Sequence, residues 1–310
     1  MGYRFDFENK KITLTGGIFV KTYPGADEII IDSEKPQKLA WLSNSLFVQS
    51  LLPKDHIVLV KKTGYYDYFK TLNVKEKEVA KIENIILFKK DITFEVSESL
   101  SALPETKKAN FAILNGNKIV AYYEQNSSLI WLGSDGFLYK SEISNISAKP
   151  LKLTLTPLSI TKSGLYKIIA DNNNIFVNNA GNLLILNKEK NELEAFAQNV
   201  SIAKVSENGE NIVYSDNSTI YVSAISLENK PNVLYKASSK ISDVIWLNNY
   251  YICLIDGDKI IISEIDFRDT INTITLPIQA TKPQISFNQK EGKLYILSEK
   301  KVLVSEKLIP

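Results

Sequence analysis

Histidine and cysteine are almost missing from this chain, with one of each in 310 residues. A single thiol excludes an internal disulfide, and a single imidazole leaves little room for a histidine-based metal site or a paired acid–base device. Cys253 lies in the apolar pattern YYICLIDG and reads as a packed core thiol. His56 follows LLPKD at the start of a strand pattern and reads as a turn-edge residue, so neither supports a nucleophilic triad. No apolar run reaches the roughly 18 residues of a spanning helix, and no signal-peptide pattern is present. Charge of one sign is lacking too: 37 Lys and Arg face 35 Asp and Glu, a net charge of +2. Nucleic-acid binders gather positive charge on one face, so nucleic acid is not an expected partner. The short pairs Lys61-Lys62, Lys89-Lys90, Lys107-Lys108 and Lys300-Lys301 fall at strand edges and turns, where lysine discourages edge pairing.

What the chain has in abundance is period two. β-branched and aromatic residues alternate with polar ones between Asn, Asp, Gly and Ser clusters, while helical periodicity is scarce. The fold class expected is all-β, and the length suggests about two domains. KITLTGGIFVKT, DEIIIDS, HIVLVKKTGYYDYFKTLNV and ENIILF outline a compact β-unit over residues 10–88. The segment KLAWLSNSLFVQSLLP reads as a connection with room for a short strand or turn, and Trp41 within it as a core anchor.

From residue 91 a repeat begins. IWLGSDGFLYKSEI (130–143), IFVNNAGNLLILNK (175–188), IVYSDNSTIYVSAI (212–225), ICLIDGDKIIISEI (252–265) and LYILSEKKVLVSEK (294–307) share a strand, a polar turn and a second strand. Outer strands such as LYKIIADN and SIAKVSEN before, and ELEAFAQ and NVLYKAS after, bring each unit to four strands. Four strands at a spacing of about 40–45 residues describe a β-propeller blade. Five blades are the expected number, with six the alternative if ANFAILNG belongs to a degenerate unit. The last unit stops after its third strand, and DITFEVSES (91–99) is a spare strand. Pairing residues 92–97 with 301–306 completes the last blade and covers its open edge. The expected domains are therefore 1–90 and 91–310, joined by little more than Lys89-Lys90.

GGIFVKTYPGADEIIID followed by LLPKDHIVLVKKTGYYDYFKTLNV resembles the PEGA domain, a small β-sandwich-like module of bacterial and archaeal surface proteins. Gly17, Pro24, Gly25, Ala26, Leu52, Pro53, His56, Val58, Val60, Gly64 and Tyr65 occupy the family's pattern positions. Lys54 stands where glycine is usual, so that turn departs from the pattern. SENGENIVYS resembles the blade start of TolB-like propellers, with Glu207 and Asn208 in place of Pro-Asp. The whole resembles envelope proteins of small uncultivated bacterial lineages, in which a PEGA domain precedes a propeller. That resemblance implies an extracytoplasmic location and a membrane-anchoring segment ahead of GYRF that this chain lacks, with Met1 added.

Three clusters invite a functional reading. SEIDFRDTIN places Glu264, Asp266, Arg268, Asp269 and Asn272 close together. A strand-end turn, with Arg268 bonding neighbouring carboxylates, explains it better than an acidic groove. SDG (134–136) and DGD (256–258) supply too few oxygens for calcium and read as hairpin turns. GYYDYF (64–69) offers aromatic rings for carbohydrate or peptide contact, although a strand there turns part of the set into core. No catalytic, cofactor-binding or metal-binding residue is expected, and no ligand contact is assigned. The functional expectation is a noncatalytic envelope protein that binds a protein or cell-wall polymer. A propeller glycan hydrolase and an intracellular scaffold are the alternatives.

Overall fold

A computed structural model describes residues 2–7, 9–32, 36–38, 44–97, 113–114, 116–161, 164–226, 230–299 and 301–310. Trp41, Lys107, Lys108, Lys300 and most of ANFAILNG lie outside the described residues. The protein is all-β, with no α-helix among the described residues and no helix long and apolar enough to cross a membrane. Two compact units divide the chain. Unit one takes residues 1–103, 250–253 and 258–310, and unit two takes 104–249 and 254–257.

Unit one opens with an antiparallel ribbon of β1 (Tyr3–Asp6) and β2 (Lys11–Leu14). β3 (Gly16–Tyr23), β4 (Glu28–Ile31), β5 (Gln37–Lys38), β6 (Ser45–Leu51), β7 (Asp55–Lys61), β8 (Tyr68–Asn73) and β9 (Val79–Ile86) then build two sheets. Their orders are β6-β3-β9 and β5-β4-β7-β8. Period two puts Ile18 and Val20 of β3, Ile29 and Ile31 of β4, and Val58 and Val60 of β7 into one shared core. The expected connection thus holds a seven-residue strand, β6, paired antiparallel to β3. β9 pairs with the other edge of β3 in parallel. The paired glycines are there for space, not for unusual dihedrals. A Cβ on Gly16 would stand 2.4 Å from the Lys75 carbonyl oxygen, and one on Gly17 would stand 2.8 Å from that of Val48.

His56 is buried on β7 and not at a turn edge as its sequence setting suggests. Its Nδ1 meets the Asp32 carboxylate, and its Nε2 lies 2.7 Å from the Leu52 carbonyl oxygen. Asp32 also accepts the Ile57 backbone N–H at 2.9 Å, which secures a residue held at φ 52°. One imidazole therefore ties the loop after β4 to the loop before β7.

β10 (Phe94–Ser97) belongs to unit one as well. Unit two begins its sheets with β11 (Ile113–Leu114), β12 (Asn117–Gln125), β13 (Ser128–Gly133), β14 (Leu138–Glu142) and β15 (Leu151–Lys152), hydrogen-bonded in chain order. β16 (Tyr166–Ala170), β17 (Ile175–Asn179), β18 (Asn182–Asn187) and β19 (Glu192–Ala197) form the next sheet. β20 (Ile202–Val205), β21 (Asn211–Ser215), β22 (Thr219–Ala224) and β23 (Asn232–Lys236) form the third. β24 (Ile241–Trp246), β25 (Tyr251–Asp256), β26 (Lys259–Glu264) and β27 (Thr273–Thr275) repeat the same order. Finally β28 (Gln284–Asn288), β29 (Lys293–Ser298) and β30 (Lys301–Lys307) form a sheet with β10 in the order β10-β30-β29-β28. The expected pairing of 92–97 with 301–306 is present, with Phe94 opposite Ser305 and Ser97 opposite Val302.

The middle sheet of unit two shows why these strands read as almost continuous apolar runs. Ile168, Ala170 and Val177 pack toward the preceding sheet, whereas Ile169, Phe176 and Leu183 pack toward the following one. Both faces are covered, so both side-chain sets along each strand must be apolar. The hairpins reverse at Gly136, Ala180-Gly181, Asn217 and Gly257, all at positive φ. Cys253 is fully buried on β25 as expected.

Candidate functional site

SEIDFRDTIN spans the end of β26 and the start of β27, and it does more than turn the chain. Glu264 ends β26 with its side chain 4% exposed, facing the fully buried Lys70 of β8 at 2.5 Å. The ammonium uses its remaining donors on the carbonyl oxygens of Asp266 and Thr270, each at 3.0 Å. The carboxylate also accepts the Tyr68 hydroxyl at 2.8 Å, the Asn272 backbone N–H at 2.9 Å and its side-chain amide at 2.7 Å. Burial, then the Glu264 charge, pushes the Tyr68 phenol well above its ordinary range.

The same segment finishes the free edge of β8. The Asn272 amide donates to the Phe69 carbonyl at 2.8 Å and accepts the Phe69 N–H at 3.2 Å, as a neighbouring strand would. Asp269 accepts the Thr71 N–H at 2.9 Å, and the Thr71 side chain, then the Thr270 backbone, hold its carboxyl below the usual range. Arg268 pairs with Asp266 at 2.5 Å and donates to the Lys81 carbonyl at 2.7 Å. Burial alone would raise Asp266, but the Arg268 hydrogen bonds outweigh it and the carboxyl stays low. Arg268 therefore bonds only one of the carboxylates expected for it, while Glu264 and Asp269 serve β8. All three donors of Lys70 and both oxygens of Glu264 are engaged, so this cluster is a brace.

GYYDYF does not form the expected continuous strand. Tyr65 makes an isolated bridge to Lys89, the Tyr66 N–H donates to the Phe88 carbonyl at 2.9 Å, and β8 starts only at Tyr68. Asp135 and Asp256 are likewise engaged, the first within its own turn and the second by Tyr235 and the segment between β23 and β24. Asp135 accepts the Phe137 N–H at 3.2 Å and the Tyr139 hydroxyl at 2.7 Å. Asp256 accepts the Tyr235 hydroxyl at 3.0 Å and the backbone N–H groups of Ser238 at 2.9 Å and Ser239 at 2.7 Å. Burial acting alone would raise Asp256, yet these donors hold its carboxyl below the ordinary value.

A different surface has the character of a site. Within unit two, β12, β16 and β20 line a cavity of about 940 Å³. Lys167 is the second residue of β16 and Lys204 the third of β20. Among the described residues neither ammonium takes part in a hydrogen bond or ion pair. Lys167 is exposed to the cavity, and the walls remove part of the surrounding solvent. That burial lowers its pKa first, the Lys204 charge lowers it further, and Asp243 opposes both. Asp243 is raised by burial against the pull of Lys204, and its Oδ1 accepts the adjacent Val244 N–H at 2.8 Å.

Acids follow the cations along each strand: Asp171 comes four residues after Lys167, and Glu207 three after Lys204. At the rise of a strand this separates cation from acid by roughly 10–13 Å. Glu124, near the end of β12, joins them on the lining. Tyr123 is raised by burial and then by Asp171, and Gln125 donates to Asn172 at 3.0 Å. Nothing in the sequence singled out Lys167 or Lys204. The available signal was the lysine breaking the apolar alternation in LYKIIADN and SIAKVSEN.

No family model matches the chain, and no curated protein matches it. Among solved structures, the extracellular domain of BT4673 from B. thetaiotaomicron is similar at 14% identity and a TM-score of 0.46. The likeness covers 64% of this chain but 29% of that one, so the chain spans less than a third of its length. Hsv2 of Kluyveromyces lactis is similar at 12% identity and a TM-score of 0.44, over 82% of this chain and 71% of that one. Neither TM-score reaches 0.5, and the functional argument rests on the chain's own residues.

Proposed function

We propose that this chain is a noncatalytic binding protein of the cell envelope, in which a PEGA-type module carries a five-bladed β-propeller. The propeller binds a protein or cell-wall polymer outside the cytoplasmic membrane, and a preceding segment of the full protein anchors it there. The observation that carries the binding reading is the unit-two cavity, whose walls present two lysines without partners on rigid strands. The walls and the Lys204 charge disfavour the Lys167 ammonium, and a bound anion relieves that cost. Supporting the propeller are the successive four-stranded meanders, the middle sheet's two buried faces and the pairing of β10 with β30. Supporting the PEGA reading are Gly17 at its close approach, Gly64 at φ 81°, and inward-facing His56, Val58 and Val60. Lys54 departs from the family pattern at a position that does not need positive φ.

The test combines the native upstream coding sequence, cell fractionation, and incubation of the purified chain with isolated envelope polymer. The reading expects an upstream hydrophobic segment, recovery with the envelope, and retention on the polymer without new reducing ends. Release of reducing ends would move the assignment to the glycan hydrolase. Recovery in the soluble cytoplasm, with no upstream hydrophobic segment, would move it to the scaffold.

A further inference from the structure

From the arrangement of its lining we infer that the unit-two cavity binds an acidic saccharide, with Lys167 and Lys204 taking a sugar carboxylate and the rim acids accepting sugar hydroxyls. The inference rests on the reading of the chain as a binding protein and names the class of polymer. Two neighbouring strands each contribute one ammonium to the cavity, and among the described residues no ion pair neutralises either. A carboxylate between them relieves their mutual repulsion and forms charge-assisted hydrogen bonds. Asp243 faces the same lysines electrostatically without reaching ion-pair distance, which leaves room for a ligand anion.

The rim decides between a sugar and an acidic peptide. Glu124, Asp171 and Glu207 lie on the lining, the last two following the cations by a few residues. Asp171 Oδ1 already accepts the Asn173 and Asn174 N–H groups and its Oδ2 the Asn174 amide, so only Oδ2 keeps an acceptor position for a hydroxyl. A peptide rich in carboxylates would carry negative charge past these acids and be repelled. An acidic sugar concentrates its charge in one group and offers neutral hydroxyls, which carboxylates accept well. Gln125 spends one donor on Asn172, which leaves the Gln125 carbonyl and the Asn172 amide N–H groups to serve further hydroxyls. A space of about 940 Å³ also exceeds what a simple ion fills and suits an oligosaccharide.

The test uses the whole chain, with trimers of galacturonic, guluronic and mannuronic acid, their methyl esters, and hexaglutamate as probes in titration calorimetry. At least one uronate trimer is expected to bind, more weakly as salt rises, while its uncharged ester does not. Lys167→Met and Lys204→Met should each weaken binding about tenfold or more, and the double variant should abolish it. The variants should unfold no earlier than the parent, because neither lysine has a partner to lose.

A second readout is the acylation of Lys167 by an amine-reactive reagent at about pH 8, where a lysine with a lowered pKa reacts faster than ordinary ones. Lys190, raised by its hydrogen bond to Glu194, is the internal comparison. The bound uronate should protect Lys167 and leave Lys190 labelled. Tighter binding of hexaglutamate would reassign the cavity to an acidic peptide. Undiminished binding by the double variant, equal binding of the ester, or no binding of any uronate would overturn the inference. In the last case, retention on envelope polymer would still stand or fall by itself, so the two failures are distinguishable.

Discussion

Lys70 of β8 and Lys167 of β16 are both strand lysines, one buried and one exposed to a cavity, and they are treated in opposite ways. Lys70 is fully buried, sits 2.5 Å from the Glu264 carboxylate, and spends its other donors on two carbonyl oxygens. Lys167 lines the unit-two cavity, where the partial burial by its walls and the Lys204 charge both disfavour its charge. A charge removed from water must be fully compensated, because each missing partner then costs more than at the surface. The brace meets that condition within the protein, and the cavity leaves it to a ligand. A saturated cluster is therefore a structural part, and an unsaturated one a candidate site.

The largest effect should come from breaking the saturated side. Lys70→Met leaves Glu264 buried without its cation and should cost about 3–5 kcal/mol in denaturant unfolding. Adding Glu264→Gln removes the orphaned charge and should recover much of that loss. An additive double variant would mean that the two groups do not act as a pair.

Next comes Asp256→Asn, which weakens a carboxylate held by donors alone and should cost about 1–3 kcal/mol at neutral pH. Its folded pKa is depressed, so its contribution is present above the unfolded carboxyl value. That contribution is lost as pH falls through the folded one. The stability gap between parent and variant should accordingly narrow below about pH 4. A gap that stays constant with pH would assign the effect to packing.

Lys89→Ala removes an exposed ion pair with Glu306 and should produce a smaller drop in Tm that vanishes in high salt. Smallest of all, Lys167→Met should shift stability by no more than about 0.5 kcal/mol. Any shift should be a gain. A lysine with a lowered folded pKa destabilises the protein below that pKa, and this cost fades as pH rises through its unfolded value. A clear loss in Lys167→Met would erase the contrast with Lys70.

Much of the fold was legible because period two is a local property. The repeated strand–turn–strand units predicted the hairpins β13-β14, β17-β18, β21-β22, β25-β26 and β29-β30, and the spare strand at 92–97 found its place beside β30. β6 was less clear, since LFVQSL alternates weakly and much of its surface stays exposed. His56 was misplaced because nothing local marks a buried histidine. Its partners Asp32 and Leu52 become visible only once two loops meet. GYYDYF looked like a strand because aromatic residues favour strands, but Tyr65 makes only an isolated bridge to Lys89 and Tyr66 one bond to Phe88 before β8 begins.

By itself, the sequence determined the all-β class, the hairpin positions and the near absence of histidine and thiol chemistry. These follow from composition and from which side of a strand each residue occupies. Only the tertiary structure decided that Asp269 and Asn272 finish the edge of β8, contacts between residues 198 and 203 positions apart in the chain. Only it separated the engaged lysine from the unengaged ones. Alternation places a side chain on one face of a strand, but whether a charge there finds a partner depends on what the rest of the chain brings to that face.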